Sequence, residues 1–541
     1  MKAVTAVAEI LKREGVTFIT GFPLNPIIDA AAAADIRPIV VRQERIGAHM
    51  ADGFSRINSG RRVGVFVMQV GPGAENAFGG VAQAYADSVP IIALPTGYPR
   101  EIAELPPNFR SSASYQSVTK WAERVTVPSA VPAALRRAFT QAKNGRPRPV
   151  LVEFPVDLLE AEVAEPLDYV PTFTTRSGPD PQAVDEVARV LQGASRPVIY
   201  AGQGVHYAQA WDELRALAER LPAPVVTSLA GKSAFPENHP LALGCGGRTM
   251  PATVHHFLVR ADVILGIGCS FTRTNFGVRM PAGKTIIHAT LDPADLNKDL
   301  HADYGLVGDA KLTLGALLAE ASERAGSGRR EALAEEVRVV KQGWLSQWMH
   351  KLTSDEVPMT PYRVIWDLMH TVDRSNTIIT HDAGGPRDQL SAFWEPVTPL
   401  SYIGWGKSTQ LGSGLGFAMG AKLARPEKLC IAVMGDASIG MTGLDFETAA
   451  REQIPILVVL LKNSVMACEL AVMPTSTEKY GCTYLSGEYA DLARALGGYA
   501  ETITRPEKIV PAVQRGVEKT QEGTPALLEF ITSEETALSK Y

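Results

Sequence analysis

Leu429-Cys430-Ile431-Ala432-Val433-Met434-Gly435-Asp436-Ala437-Ser438 decides the fold, read with the later run Ile454-Pro455-Ile456-Leu457-Val458-Val459-Leu460-Leu461-Lys462-Asn463-Ser464. Each is a short apolar run that ends in polar residues, the pattern of a buried strand entering a turn. Residues 443–452, between them, have helical composition, so the unit reads strand–helix–strand, a parallel crossover. Asp436 and Asn463 then stand at the carboxyl ends of neighbouring parallel strands, where open α/β sheets bind ligands. A carboxylate and an amide oxygen, completed to an octahedron by water and phosphate oxygens, suit Mg²⁺. The plainer alternative is two strand ends of an unrelated sheet that carry Asp and Asn without function.

A second stretch lies far upstream: Val41-Arg42-Gln43-Glu44-Arg45-Ile46-Gly47-Ala48-His49-Met50-Ala51-Asp52-Gly53-Phe54-Ser55-Arg56. A strand over 38–41 and a helix over 45–55 put Glu44 at a strand-to-helix junction. A helix-start glutamate also answers the helix macrodipole, the common structural use of such a residue.

Together the two stretches resemble the motifs of thiamine-diphosphate enzymes of the acetolactate synthase and pyruvate decarboxylase group. There the metal motif is Gly-Asp-Gly followed by Asn-Asn; here Ala437 replaces the second glycine and Lys462 the first asparagine. The resemblance implies an α/β fold of three domains, each a mostly parallel sheet flanked by helices. They are a pyrimidine-binding domain over 1–165, a middle domain over 182–345 and a diphosphate-binding domain over 356–541. It implies thiamine diphosphate and Mg²⁺, with Asp436, Asn463 and the Val465 carbonyl as metal ligands. Around the cofactor it places Gly385, Leu411, Gly435, Asp436, Ala437, Ser438, Asn463, Val465 and Met466. Ser438 is expected to donate to phosphate, and Leu411 to prop the bent cofactor, an ordinary core leucine being the alternative. Glu44 falls on the glutamate that bonds the pyrimidine ring and activates the cofactor. In this family the glutamate and the metal site of one centre come from different chains. A homodimer is therefore the expected minimum and a homotetramer the expected assembly.

Three further residues are carried over as catalytic candidates. Asn25, in Gly21-Phe22-Pro23-Leu24-Asn25, and Gln69, in Val67-Met68-Gln69-Val70-Gly71-Pro72-Gly73, fall where the group places polar residues that meet the substrate. Glu469 falls where some members keep a proton-transferring glutamate, and a carboxyl buried there would have the raised pKa that a general acid needs. Structural backbone bonding is the alternative for Asn25 and Gln69, and a solvated helix position for Glu469. Ser270-Phe271-Thr272-Arg273-Thr274 stands where flavin-associated members carry Arg-Phe-Asp-Asp-Arg. FAD is therefore not expected. Arg273, Arg279 and Lys284 are candidates for an ADP or CoA moiety in the middle domain, solvated surface charge being the alternative.

Composition agrees with a multidomain enzyme. Length, 541 residues, suits three or four domains, and 45% apolar with 21% charged residues supplies each with a core. A net charge of −5 offers no basic field for nucleic acid. The five cysteines are scattered and fit a reducing compartment. Met1 leads straight into a globular pattern, and no long uncharged apolar run is present, so neither a signal peptide nor a membrane span is expected. Residues 169–181 read as a polar linker and 320–339 as a solvated helix and linker. A cytoplasmic, non-oxidative lyase or carboligase acting beside a carbonyl is the expected activity, on a 2-oxo acid or 2-hydroxyacyl substrate. A 2-hydroxyacyl-CoA lyase releasing formyl-CoA, an acetohydroxyacid synthase, and a catalytically silent scaffold or regulatory relative are the alternatives.

Overall fold

The computed structural model describes residues 1–321 and 327–541. It contains three sheets of six strands, and every strand pair in them is parallel. The first comprises β1 (Phe18–Gly21), β2 (Arg37–Val40), β3 (Gly64–Met68), β4 (Ile91–Gly97), β5 (Trp121–Arg124) and β6 (Val150–Pro155), in the order 2-1-3-4-6-5. The second comprises β7 (Pro197–Ala201), β8 (Val225–Ser228), β9 (Ala242–Gly246), β10 (Val263–Ile267), β11 (Thr285–Thr290) and β12 (Tyr304–Val307), in the order 12-11-10-7-8-9. The third comprises β13 (Thr377–His381), β14 (Tyr402–Ile403), β15 (Leu429–Gly435), β16 (Leu457–Lys462), β17 (Tyr499–Ile503) and β18 (Ala526–Ile531), in the order 14-13-15-16-18-17.

The first and third sheets thus share one topology. In each, chain direction across the sheet reverses beside its first strand, and the crevice at such a reversal is where α/β folds hold ligands. The middle sheet has the doubly wound dinucleotide order, with its reversal between β7 and β10. β16 is buried along its whole length, as a central parallel strand covered on both faces must be.

The first and third domains meet through two helices whose sequences are nearly free of exposed positions. In Glu44–Ile57 every residue except Arg45 is buried, because one side faces β3 and the Pro72–Ala86 helix while the other faces the Ser413–Ala424 helix. Small residues permit the approach: a Cβ on Gly53 would sit 2.5 Å from Phe417 O, and one on Gly420 would run into Met50 O. Ile46, Met50 and Phe54 share one core with Leu415, Phe417 and Met419. A buried ionic knot fastens the same interface. Arg56 pairs with Asp52 at 2.5 Å and Asp87 at 3.1 Å and donates to Gly404 O at 2.7 Å. Asp87 in turn accepts the N–H of Gly406 at 3.0 Å and of Lys407 at 2.9 Å. Buried charges persist when paired in this way.

The charged stretch expected over 320–339 is the start of a longer helix, Ser327–Leu352; its residues 322–326 lie outside the described residues. Among the described residues no helix is long and apolar enough to cross a membrane.

Candidate active site

Asp436 begins a helix directly at the end of β15, and Asn463 follows β16, which pairs with β15 through Gly435↔Leu461. The expected crossover is present. Asp436 is 4% exposed; its Oδ2 accepts Ser464 N at 2.6 Å and its Oδ1 accepts Ala437 N at 2.9 Å. Asn463 Oδ1 accepts Val465 N at 3.1 Å, a tight turn that needs the left-handed backbone of Ser464 (φ 58°). Each side-chain oxygen is thus oriented by the backbone and keeps lone-pair capacity for a further partner. Burial raises the pKa of Asp436, opposed by its N–H donors from Ser464 and Ala437. Val465 is buried and its carbonyl accepts Ala467 N at 3.0 Å, while Met466 N donates to Thr483 O at 2.8 Å.

The opposite wall comes from β13. Asp382 is fully buried; it accepts Gly412 N at 2.9 Å, Gly414 N at 2.8 Å and Ala383 N at 2.7 Å. Burial outweighs these donors and pushes its pKa up to about 6. One carboxylate thereby ties two Gly-rich helix starts together. Gly384 (φ 80°) leads into the Gly385–Phe393 helix with nothing within 4 Å of its absent side chain. Gly412 (φ 87°) caps the Ser413–Ala424 helix, where a Cβ would meet Thr442 Cγ2 at 2.5 Å. Ser413 Oγ is buried without a hydrogen-bond partner among the described residues, and Leu411 packs half-buried beside the core. Two helix N-termini and open glycine backbone fit a diphosphate. No cluster of three or more His, Cys, Asp or Glu exists among the described residues to hold a metal. A cation here would rest on Asp436, Asn463 and backbone oxygen with phosphate oxygens, the mixed set Mg²⁺ accepts. These residues fit thiamine diphosphate with its metal.

Glu44 heads its helix at 5% exposure. Its Oε2 accepts Asn76 Nδ2 at 3.3 Å, and its Oε1 lies 3.2 Å from where a Cβ on Gly73 would stand. The carboxylate therefore faces the start of the Pro72–Ala86 helix. Among the described residues no hydrogen bond or ion pair joins it to Asp436, Ser438 or Asn463. Gln69 follows β3 beside the same glycine, and its side-chain amide has no partner among the described residues.

Three of the expected site residues are held or exposed in ways the sequence did not indicate. Asn25 is 4% exposed and spends its amide on backbone: Nδ2 donates to Met68 O at 2.9 Å and Leu94 O at 3.1 Å, and Oδ1 accepts Ile27 N at 3.0 Å. It ties the end of β3 to β4 and to the start of the Ile27–Ala33 helix, and its neighbour Leu24 is the side chain left exposed, at 74%. Ser438 donates to Gly435 O at 2.9 Å and accepts Gly435 N at 3.1 Å, so its hydroxyl hydrogen is committed to a helix cap rather than free for phosphate. Glu469 is exposed in the single chain, so the burial expected of it is not supplied by this chain. Sequence reading missed Asn76 and the triple role of Asp382. An asparagine one turn into a Gly-Pro-Gly helix start, and an aspartate directly before Ala-Gly-Gly, were the available signals.

A cavity of about 540 Å³ opens at the reversal of the middle sheet. Gln203 and Gly204 after β7 and Gly268 to Phe271 after β10 line it, with Tyr200 and Phe271 stacked at 5.7 Å. Arg273 and Arg279 line the cavity. Lys284 does not; it donates to Val259 O at 2.6 Å. Lys407 enters from the third domain, its pKa lowered to about 8 chiefly by burial and secondarily by Arg146.

Three parallel-sheet domains with a cation-and-diphosphate cradle on one and a buried glutamate on another define a class of cofactor-dependent enzyme. Models of the thiamine pyrophosphate enzyme N-terminal TPP-binding, central and C-terminal TPP-binding domains match residues 1–118, 184–317 and 382–530. The probable acetolactate synthase large subunit of Methanocaldococcus jannaschii is 32% identical, covering 99% of this chain and 93% of its own length. The acetolactate synthase large subunit of Corynebacterium glutamicum is 31% identical over 99% of this chain and 87% of its own. The isozyme 3 large subunit of Escherichia coli K12 is 28% identical over 94% and 90%. The chain belongs to the thiamine-pyrophosphate enzyme family, in its acetolactate synthase group.

Proposed function

We propose that this chain is a non-oxidative thiamine-diphosphate and Mg²⁺ enzyme that joins or cleaves a carbon–carbon bond beside the carbonyl of a 2-oxo acid, with carboligation the favoured direction. The observation that carries this reading is the pair of oriented, under-used oxygens on Asp436 and Asn463, in a chain that also keeps Glu44 enclosed at the head of its helix. When bound, the cofactor would supply carbanion and electron-sink chemistry beside the carbonyl. Asp436, Asn463 and the Val465 carbonyl hold the cation, and the Gly385 and Gly412 helix starts hold the diphosphate. Leu411 would support the cofactor from beside the core. Glu44, steadied by Asn76, holds the pyrimidine-side proton. Gln69 and Glu469 manage protons at the reacting carbon once Glu469 is covered.

Among the described residues Glu44 bonds Asn76 and makes no bond to Asp436 of its own chain, which supports a centre shared between two chains and a homodimer as the minimum, with a homotetramer expected. Exposed Leu24, Met441, Leu444, Val472 and Tyr484, from 50% to 77% exposed, are apolar surface for such a partner. The middle-domain cavity, with Arg273, Arg279 and Lys407, supports an ADP or CoA moiety; FAD is not expected. Free cysteines, three buried and two exposed, fit the cytoplasm. The test is calorimetric titration of thiamine diphosphate with and without Mg²⁺, followed by product identification from a panel of 2-oxo acids and 2-hydroxyacyl-CoAs. Metal-dependent binding and condensation products from 2-oxo acids support the reading. Cleavage of 2-hydroxyacyl-CoA alone would replace it with the lyase alternative, and absence of metal-dependent binding would refute both.

A further inference from the structure

The loop between β9 and the Ala252–Arg260 helix is held with unusual care for a surface turn. Arg248 N donates to Phe276 O at 2.8 Å. Thr249 Oγ1 lies 3.1 Å from Ser391 Oγ on the Gly385–Phe393 helix. Met250 N donates to Ser539 O at 2.9 Å, and Ser539 Oγ returns a bond to Met250 O at 2.7 Å while accepting Trp344 Nε1 at 2.9 Å. Ser539, 2% exposed, makes the C-terminal segment a clamp on this loop. The one member left unattached is the Arg248 side chain, which is exposed and has no hydrogen bond or ion pair among the described residues.

The position of this free guanidinium is informative. Phe276, whose carbonyl holds Arg248 N, stacks under the guanidinium of Arg387 at 4.3 Å, and Trp405 closes the other side at 4.9 Å. Arg387 sits in the first turn of the helix that Gly385 opens, one wall of the diphosphate cradle. Its charge is already spent: it is 4% exposed and donates from Nε to Asp388 Oδ1 at 2.6 Å. Arg248 and Arg387 face two carboxylates here, Asp388 and Glu469; of the two guanidiniums only Arg248 is without a hydrogen bond or ion pair among the described residues. All four charges bear on the surface thiol of Cys468, whose pKa is raised by partial desolvation and then by Asp388 and Glu469, against the two arginines. Cys468 precedes Glu469 on the turn that follows Asn463. Ordering a loop costs conformational entropy, and clamping it on both sides to display an unpaired arginine is a poor use of bonds unless that arginine meets a ligand.

We propose that Arg248 recognises the carboxylate of the 2-oxo acid substrate, presented at the mouth of the site by a loop that the C-terminal Ser539 clamps. The inference rests on the 2-oxo acid reading above. A guanidinium matches a carboxylate with two parallel N–H bonds, a geometry lysine does not reproduce.

The test compares the holoenzyme with Arg248→Gln, Arg248→Lys and Ser539→Ala on the best 2-oxo acid of the panel and on acetaldehyde, which carries no carboxylate. Loss of a charge-assisted bond is expected to raise the 2-oxo acid KM by about ten- to a hundredfold in Arg248→Gln, with kcat nearly constant and acetaldehyde KM unchanged. Arg248→Lys should fall between, and Ser539→Ala should raise the same KM by a smaller factor. Calorimetric affinity for oxamate, an unreactive 2-oxo acid mimic, should weaken in parallel without any turnover. Unchanged 2-oxo acid KM and oxamate affinity, or equal losses for acetaldehyde, would overturn the assignment while leaving the proposed function standing. A parent enzyme that acts on no 2-oxo acid would instead overturn the function, and the assignment with it.

Discussion

In the proposed reaction Glu44 and Asp436 divide the chemistry between proton and charge, and each is best tested by a change that keeps its size or removes its ligand. Glu44→Gln retains the shape of a buried side chain that bonds Asn76 but no longer holds an exchangeable carboxyl proton. Activity should fall by at least about a hundredfold with the fold intact; near-parent turnover would refute the role. Asp436→Ala removes the only carboxylate of the mixed donor set, so Mg²⁺-dependent retention of thiamine diphosphate should disappear in a calorimetric titration. Unchanged metal-dependent affinity would speak against it. The placement of these residues at helix starts after strands was legible in the sequence, because the apolar runs before them announce the strands. Asn25 was not, because its partners Met68 O and Leu94 O arrive from strands 43 and 69 residues away. Ser438 misled for the opposite reason: its hydroxyl is consumed within its own first turn.

Among the elements, the helix pair Glu44–Ile57 and Ser413–Ala424 carries most of the architecture. Two parallel sheets reach one another only because glycines line the contact. Gly420→Val should therefore force the helices apart, costing about 1–3 kcal/mol or more by overpacking, and calorimetric unfolding should show a lowered Tm. A Tm equal to the parent's would mean that the interface yields without cost. Strand existence was readable from the apolar runs at β15 and β16. The pairing of the first and third domains was not, since small residues in a helix indicate close packing without naming the partner. The same limit applied to Lys284, whose charge suggested a ligand but whose stem reaches a helix-end carbonyl.

At the scale of the whole molecule, burial of titratable groups sets a pH dependence with a definite sign. His49 and His381 have pKa values lowered to about 3, and His206 to about 4, all chiefly by burial. Below about pH 6.5 the unfolded chain takes up these protons first, so each histidine removes about 1.4 kcal/mol of stability per pH unit until its folded pKa is reached. Asp382 and Asp445, raised to about 6 mainly by burial, act oppositely between pH 6 and their unfolded pKa near 4. In that window the raised carboxylates, which also include Asp52, Glu237, Asp367 and Asp436, offset the histidines. The cofactor-free protein should therefore lose Tm from pH 7.5 to pH 6, most steeply just below pH 6.5, and the loss should level off below pH 6. A constant or rising Tm would contradict the burial of these imidazoles.

The central claim is that one catalytic centre needs Glu44 from one chain and the Asp436–Asn463 site from another. Mixing Glu44→Gln chains with Asp436→Ala chains after reversible dissociation tests it directly. In a mixed dimer, one centre combines both lesions and the other combines both intact halves. Turnover of the best 2-oxo acid should reappear on mixing two preparations that are each inactive, in proportion to the mixed dimer formed. If mixing restores nothing although mixed dimers are present by native mass spectrometry, the two half-sites do not meet between chains and the account is wrong.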